Sequence, residues 1–173
     1  MRVAVYPGTF DPVTNGHIHI TERSCTLFDK VIIAVAAENY KCNLFSVEER
    51  IFMVRESIQH LGNIEVESFT GLLADFASKK KADAIIRGLR AISDFEYEMQ
   101  MAAINKHLNK DLETVFLMAE GQYSFLSSSI IKQVALIGGC VQGLVPSIVD
   151  EYIGKKYQER LRRTKEVHYG ERG

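Results

Sequence analysis

The chain lacks the features that would place it in several broad classes. It has three cysteines in 173 residues: Cys25, Cys42 and Cys140, odd in number, widely spaced and without a C-x-x-C pair. A disulfide framework and a cysteine zinc site of the usual kind are excluded, and a reducing compartment fits. No apolar run approaches the roughly 18 residues that a membrane span needs, and no charged-then-apolar export signal opens the chain, so a cytoplasmic location is expected. A basic excess is missing too: 21 Lys and Arg face 22 Asp and Glu, for a net charge of −1. A general nucleic-acid binder is therefore not expected, and any anionic ligand must be held by local placement of cations. Internal repeats and low-complexity linkers are absent, and the length suits one domain.

Several familiar chemical motifs are also missing. No G-x-G-x-x-G follows a strand, so a dinucleotide site of the usual type is not expected. No G-x-x-x-x-G-K-[ST] occurs, which removes the P-loop enzymes. The serine run Ser127-Ser128-Ser129 lacks a G-x-S-x-G elbow, which removes the main warrant for a serine hydrolase.

What is present is an alternation of strand and helix signals. Val3-Ala4-Val5 reads as a buried strand stopped by Pro7-Gly8, with Asp11-Pro12 and Asn15-Gly16 as turns and a helix resuming at His17. Val31-Ile32-Ile33-Ala34-Val35-Ala36 is a continuous β-rich run. Ser46-Val47-Glu48-Glu49 is a capping box that opens a helix ended by Gly62-Asn63. Ile64-Glu65-Val66-Glu67-Ser68-Phe69 alternates, as a strand nearer the sheet edge does. A short helix over 72–80, a strand at Ala84-Ile85-Ile86, a helix capped by Ser93-Asp94-Phe95-Glu96, and a strand at Val115-Phe116-Leu117-Met118 follow. A polar loop over 120–124 then leads to a helix that Ser127–Ser129 introduces and Gly138-Gly139 closes. Pro146 suits the first turn of a last helix. The expectation is an α/β domain over 1–155 with a Rossmann-like parallel five-stranded sheet and helices on both faces. A charged extension, helical and then disordered, is expected over 156–173.

In that architecture ligands bind beyond the carboxyl ends of the strands. The residues that break the core pattern fall there: Thr9 and His17 after the first strand, Lys41 after the second, Thr70 after the third. Arg87 and Arg90 follow the fourth and the serine run the fifth. These groups donate hydrogen bonds or carry positive charge, and no nucleophile stands out. Such a set suits transfer at phosphorus, where positioning and charge stabilisation dominate. A helix start favours phosphate, and His17 in its first turn adds a donor that can carry a proton or a positive charge. His19, two residues on, points elsewhere and reads as structural or exposed rather than as half of a His-x-His metal pair. Glu98 shares a helical face with Asp94, a like-charge pair that a ligand or an arginine partner would explain.

Tyr6-Pro7-Gly8-Thr9-Phe10-Asp11-Pro12-Val13-Thr14-Asn15-Gly16-His17 resembles the T/H-x-G-H signature of the nucleotidylyltransferase superfamily. Together with Ile86-Arg87-Gly88-Leu89-Arg90, Asp94-Phe95-Glu96-Tyr97-Glu98 and Phe125-Leu126-Ser127-Ser128-Ser129, it resembles the bacterial phosphopantetheine adenylyltransferases over roughly the first 150 residues. The resemblance implies transfer of an adenylyl group from ATP to 4′-phosphopantetheine, giving 3′-dephospho-coenzyme A and pyrophosphate with Mg²⁺. The pantetheine phosphate would attack the α-phosphorus directly.

By that resemblance Thr9, Lys41, Leu73 and Arg87 hold phosphopantetheine. Thr9, Phe10, His17, Gly88, Leu89, Arg90, Glu98 and the run Tyr123, Ser124, Phe125, Leu126, Ser127, Ser128 and Ser129 bind ATP. His17 stabilises the transition state, with Thr9, Lys41 and Arg90 in the catalytic set. Mg²⁺ is expected on substrate phosphates rather than on protein side chains. The family pattern further implies a homohexamer and coenzyme A as feedback inhibitor, with no nucleic-acid or membrane partner. Departures occur at Tyr123, where many members have Trp, at Gln133, often Glu, and at Cys42, often Lys. The alternatives are a related enzyme using nicotinate mononucleotide or glycerol phosphate, or a non-catalytic nucleotide or coenzyme A sensor.

Overall fold

The computed structural model describes residues 1–38, 42–90 and 92–170, with side chains considered except at 92–94 and 159–170. Five strands, β1 (Val3–Gly8), β2 (Lys30–Ala36), β3 (Ile64–Phe69), β4 (Ala84–Leu89) and β5 (Glu113–Met118), form one sheet in the order β3-β2-β1-β4-β5. Every pairing is parallel. The helices are α1 (Asn15–Leu27), α2 (Val47–Ser57), α3 (Leu73–Lys79), α4 (Ile92–Leu108), α5 (Ser128–Leu136) and α6 (Ser147–Gly170). The five-stranded parallel α/β expectation holds, and β3 is an edge strand as its alternation predicts.

The two faces of the sheet bury different sets. Ala4, Tyr6, Val31, Ile33, Val35, Ala84 and Ile86 face the larger core, which takes Ile20 of α1, Met53 and Val54 of α2, Ile131 of α5 and Val149 and Ile153 of α6. Val3, Val5, Ile32, Ala34 and Ile85 face the smaller one, closed by Ala74 and Ala77 of α3 and by Leu112. Burial on both faces is why the central strands read as unbroken apolar runs.

Boundaries moved where a local cap or a ladder outweighs a turn signal. Asn15-Gly16 opens α1 instead of forming a turn, because Thr14 is the N-cap and accepts from the His17 amide. Pro7-Gly8 and Arg87-Gly88 extend β1 and β4, since neighbouring strands continue the ladder: Gly8 pairs with Val35 and Gly88 with Leu117. The capping box at Ser46 forms as read, with the Ser46 hydroxyl accepting from the Glu49 amide and the Glu49 carboxylate from the Ser46 amide. Ser93 lies inside α4, which already begins at Ile92. Ser127 does cap α5, accepting from the Ile130 amide. The last helix runs on through 170, and Tyr157 still packs on the domain by donating to the Lys132 carbonyl.

Candidate active site

Connections from β1 lead one way to β2 and β3, while β4 and β5 lie on the other side, so the sheet reverses direction between β1 and β4. There the two strands part. The β1–β2 ladder runs to Gly8↔Val35, whereas β1–β4 pairing is limited to Ala4↔Ala84 and Val5↔Ile85. Pro7 has no N–H to extend a second ladder. The result is a cleft of about 480 Å³ at the carboxyl ends, walled by Tyr6, Pro7 and Gly8 of β1 and by Arg87 and Gly88 of β4. Ligand sites in open α/β sheets form at such reversals.

The loop after β1 is held tightly. Phe10 adopts φ 49°, a left-handed conformation that costs a non-glycine residue roughly 1–2 kcal/mol. Its ring offsets this with edge contacts to Tyr6 and His17, at centroid distances of 5.6 and 5.2 Å. A Cβ on Gly8 would lie 2.9 Å from that ring, so the position requires glycine for close approach. Beneath the loop, Arg50 of α2 is 1% exposed. Its guanidinium donates to the carbonyls of Thr9 and Ala36, both at 2.8 Å, and of Ser46 at 3.3 Å. The ends of β1 and β2 are thereby tied to one side chain. Asp11, 2% exposed, accepts from the amides of Leu44 and Phe45 and from Lys132 Nζ at 2.6 Å.

His17 occupies the third helical position of α1, where a capping box usually has Glu or Gln. The Thr14 amide donates to Nδ1 at 3.0 Å, so Nδ1 carries the lone pair and the neutral ring keeps its proton on Nε2. Burial, assisted by the positive charge of Arg90, lowers its pKa from 6.5 to about 4. At neutral pH His17 is thus a neutral hydrogen-bond donor and not the positive charge that its place at a helix start allowed. It cannot accept a proton at Nε2 while the Thr14 bond lasts, which disfavours general-base chemistry. Burial also raises the pKa of Tyr6, with Glu98 adding to that effect against Arg87 and Arg90, so the phenol stays protonated.

Among the described residues, three cations reach the cleft on fixed supports. Arg87 Nε stands 3.1 Å from Glu98 Oε2, both side chains 21% exposed, so an arginine partner accounts for the Asp94/Glu98 spacing. Arg90 Nη1 donates to the Leu126 carbonyl at 3.1 Å, joining the end of β4 to the segment before α5. Lys132 of α5 is held by Asp11. The N-terminus of the same helix α5 brings Ser127, Ser128 and Ser129 to the cleft, and the Ser128 hydroxyl donates to the Pro12 carbonyl at 2.8 Å. The arrangement can hold a chain of phosphates between cations, helix-terminal amides and one neutral imidazole donor.

Of the residues singled out in the sequence, Thr9, Phe10, His17, Arg87, Gly88, Arg90, Glu98, Tyr123, Leu126 and Ser127 to Ser129 line this cleft. Four do not. Leu89 is 3% exposed among the buried apolar residues. Ser124 and Phe125 are exposed, and the Ser124 hydroxyl is spent on the Gly121 carbonyl. Leu73 packs on the smaller core with Phe69 and Phe76. Lys41 lies outside the described residues. Sequence reasoning missed Arg50, Asp11 and Lys132 as parts of the site; their partners lie 41, 33 and 121 residues away, and no local pattern announces them.

A histidine donor on the first helix beyond β1, with cations and helix-terminal hydroxyls gathered where β1 and β4 part, is the arrangement of a nucleotidylyltransferase-type domain. The sequence matches the cytidylyltransferase-like family over residues 5–134. A solved structure from Vibrio parahaemolyticus, provisionally described as a nicotinate-nucleotide adenylyltransferase, superposes with a TM-score of 0.67 at 16% identity. It covers 91% of this chain and 95% of its own, a likeness of fold alone. Within the family the chain belongs to the phosphopantetheine adenylyltransferases. It is 58% identical over 157 residues to the Moorella thermoacetica phosphopantetheine adenylyltransferase, covering 91% of this chain and 98% of the relative. It is 52% identical over 159 residues to that of Carboxydothermus hydrogenoformans, at 92% and 98% coverage.

Proposed function

We propose that the protein transfers the adenylyl group of ATP to 4′-phosphopantetheine, giving 3′-dephospho-coenzyme A and pyrophosphate in the penultimate step of coenzyme A synthesis. The observation that carries this is the cleft itself, in a chain of that family: among the described residues, the His17 imidazole N–H, Arg87, Arg90 and Lys132 converge at the β1/β4 reversal. The attacking phosphate is already ionised at neutral pH and needs no base. Catalysis then consists of aligning two anions and stabilising charge on the α-phosphoryl oxygens. His17 donates through Nε2 to those oxygens. Arg87, steadied by Glu98, takes the pantetheine phosphate together with Thr9; Lys41 and Leu73 join it on the strength of the sequence likeness. Arg90, Lys132 and the α5 serines hold the β- and γ-phosphates, and Tyr123 and Leu126 flank the nucleoside.

Mg²⁺ belongs to this reading as a cofactor carried by substrate phosphates. The two carboxylates that line the cleft, Asp11 and Glu98, are already paired with Lys132 and Arg87, and the described residues contain no cluster of three ligating side chains. When bound, the ion would neutralise charge on the departing pyrophosphate. Coenzyme A, which carries the product's pantetheine arm, competes for the same cleft. Action in the cytoplasm belongs to the same reading; among the described residues no helix is long and apolar enough to cross a membrane. A homohexamer belongs to this reading on the strength of the sequence likeness, and Ile104 and Leu108 of α4, 51% and 50% exposed, leave apolar surface for contact between chains.

The deciding assay is pyrophosphate release from ATP with 4′-phosphopantetheine, run beside nicotinate mononucleotide with ATP and glycerol phosphate with CTP. Release with phosphopantetheine alone is expected. Release only with another acceptor would overturn the substrate, and release with none would leave a sensor. Light scattering on the eluted protein checks the six-chain mass.

A further inference from the structure

The wall that carries Tyr123 and Leu126 has little regular structure, a single 3₁₀ turn at Gly121–Tyr123. It is seated on one stripe of α1. Gly16, His19 and Arg23, spaced three and four apart, share a face. Gly16 brings the helix backbone against the wall: a Cβ there would lie 3.5 Å from Tyr123 Cβ and 3.9 Å from Leu126 Cβ. Arg23 donates to the Met118 carbonyl at 2.5 Å. Between them His19, only 16% exposed, packs its ring 5.2 Å from that of Tyr123 and sets Nε2 2.9 Å from Glu120 Oε1. The second Glu120 oxygen accepts from Gln122 at 3.0 Å, so the carboxylate spans the start of the turn.

His17 and His19 lie about 200° apart around the helix, so one faces the cleft while the other faces this wall. From this geometry we infer that His19 is a positioning residue: it fixes the Glu120–Tyr123 wall to the same helical turn that presents His17, and so sets the nucleoside side of the cleft relative to the reacting phosphate. The ring supplies packing to Tyr123, and Nε2–H supplies the bond to Glu120. His19 Nδ1 is buried with no hydrogen-bond partner, so Nε2 is the nitrogen that ties the ring to its surroundings. Nothing in the adenylyl transfer itself passes through this residue.

This inference rests on the proposed reading that Tyr123, Leu126 and the α5 serines take ATP, and binding measurements test it apart from turnover. In calorimetry on the full chain, His19→Ala should weaken ATP by about five-fold, the value of one hydrogen bond with its packing, while phosphopantetheine stays within about two-fold. His19→Gln, which keeps an N–H at similar reach, should recover most of the loss. Glu120→Ala, at a side chain 54% exposed and therefore safe for folding, should reproduce His19→Ala, and the double variant should be no weaker than either. ATP affinity unchanged in both single variants, or both ligands weakened alike, would overturn the inference. If His19→Ala does not fold, His19→Gln and Glu120→Ala give the same comparison. Wild-type protein that binds ATP but releases no pyrophosphate would count against the proposed reaction, and the ATP affinities would still decide the role of His19.

Discussion

The Thr14 amide donates to His17 Nδ1 at 3.0 Å, and that bond fixes the tautomer of the residue most central to the cleft. A protonated ring would have to give it up, and burial with Arg90 nearby makes protonation harder still, lowering the pKa to about 4. The activity profile of the free enzyme should therefore show no His17 inflection between about pH 5.5 and 9. The linkage has a definite sign. The unfolded chain protonates this ring near 6.5 and the folded chain near 4, so the stability contributed by the neutral ring is complete above 6.5 and falls as pH drops from 6.5 towards 4. Imidazole resonances followed by NMR check both statements: a His17 midpoint above 6 would refute them.

Substitution separates the cap from the chemistry. His17→Ala should lower kcat by about 10²-fold or more, comparable to losing one preorganised donor, with a smaller effect on KM. His17→Gln places a normal capping-box residue at the third helical position, so the melting temperature should stay close to wild type while kcat remains low. Recovery of kcat in the glutamine variant would show that the imidazole serves only the cap.

How much of this was legible depended on the distance between partners. Ser46 and Glu49 are three residues apart, and Ser127 and Ile130 likewise, so these caps can be read from local spacing, whereas the Thr14 cap was hidden by the turn signal of Asn15-Gly16. The continuous run Val31 to Ala36 reported a strand buried on both faces, and the alternation of Ile64 to Phe69 reported an edge. Arg87, Arg90 and the serines could be placed on one rim because topology sends strand ends there. Arg50 could not be found this way: it follows Glu48 and Glu49 and reads as surface charge, while its true partners are carbonyls at Thr9, Ala36 and Ser46. The charge of His17 was also out of reach, since it depends on burial and on Arg90 rather than on the motif. Pro7 read as a strand stop because a missing N–H looks the same whether it ends a strand or one of its two ladders.

Arg87 offers a test of the acceptor side. Its Nε faces Glu98 at 3.1 Å, and both side chains are partly open to solvent, so the pair contributes little to stability. Arg87→Ala should raise KM for phosphopantetheine by roughly 10-fold or more, the loss of a charge-assisted bond to phosphate, and leave the melting temperature within a few degrees. Glu98→Gln should give a weaker effect of the same kind. Loss of the folded state in Arg87→Ala would mark the arginine as structural.

The Asp11–Lys132 pair predicts opposite outcomes for its two members. Asp11 is 2% exposed and accepts from two backbone amides besides Lys132. Asp11→Ala strands those amides and leaves the lysine without its partner, which should cost about 3 kcal/mol or more. For a domain of this size that is a fall in melting temperature of roughly 6–12 °C. Lys132→Met removes a side chain that is 29% exposed and should cost stability less, but ATP binding more. Calorimetric melting and ATP titration on the two variants check the contrast, and equal stability losses would show that Lys132 is as structural as Asp11.

Arg50 gives the largest stability prediction. Its guanidinium replaces water for three carbonyls, those of Thr9, Ala36 and Ser46, at the ends of β1 and β2 and the start of α2. Arg50→Ala takes the guanidinium from the Thr9 and Ala36 carbonyls in a site almost closed to solvent, while the Ser46 carbonyl keeps its bond from the residue-50 amide, and a loss of about 3–5 kcal/mol is expected. Arg50→Lys keeps the charge but not the fork geometry, so it cannot reach three diverging carbonyls at once and should recover only part of that loss. Since the Thr9 carbonyl anchors the loop beneath the cleft, the lysine variant should also show a raised KM for both substrates at temperatures where it is fully folded. Denaturant unfolding and steady-state kinetics at one low temperature separate the two effects. A lysine variant with wild-type KM values would mean that the loop keeps its place without this anchor.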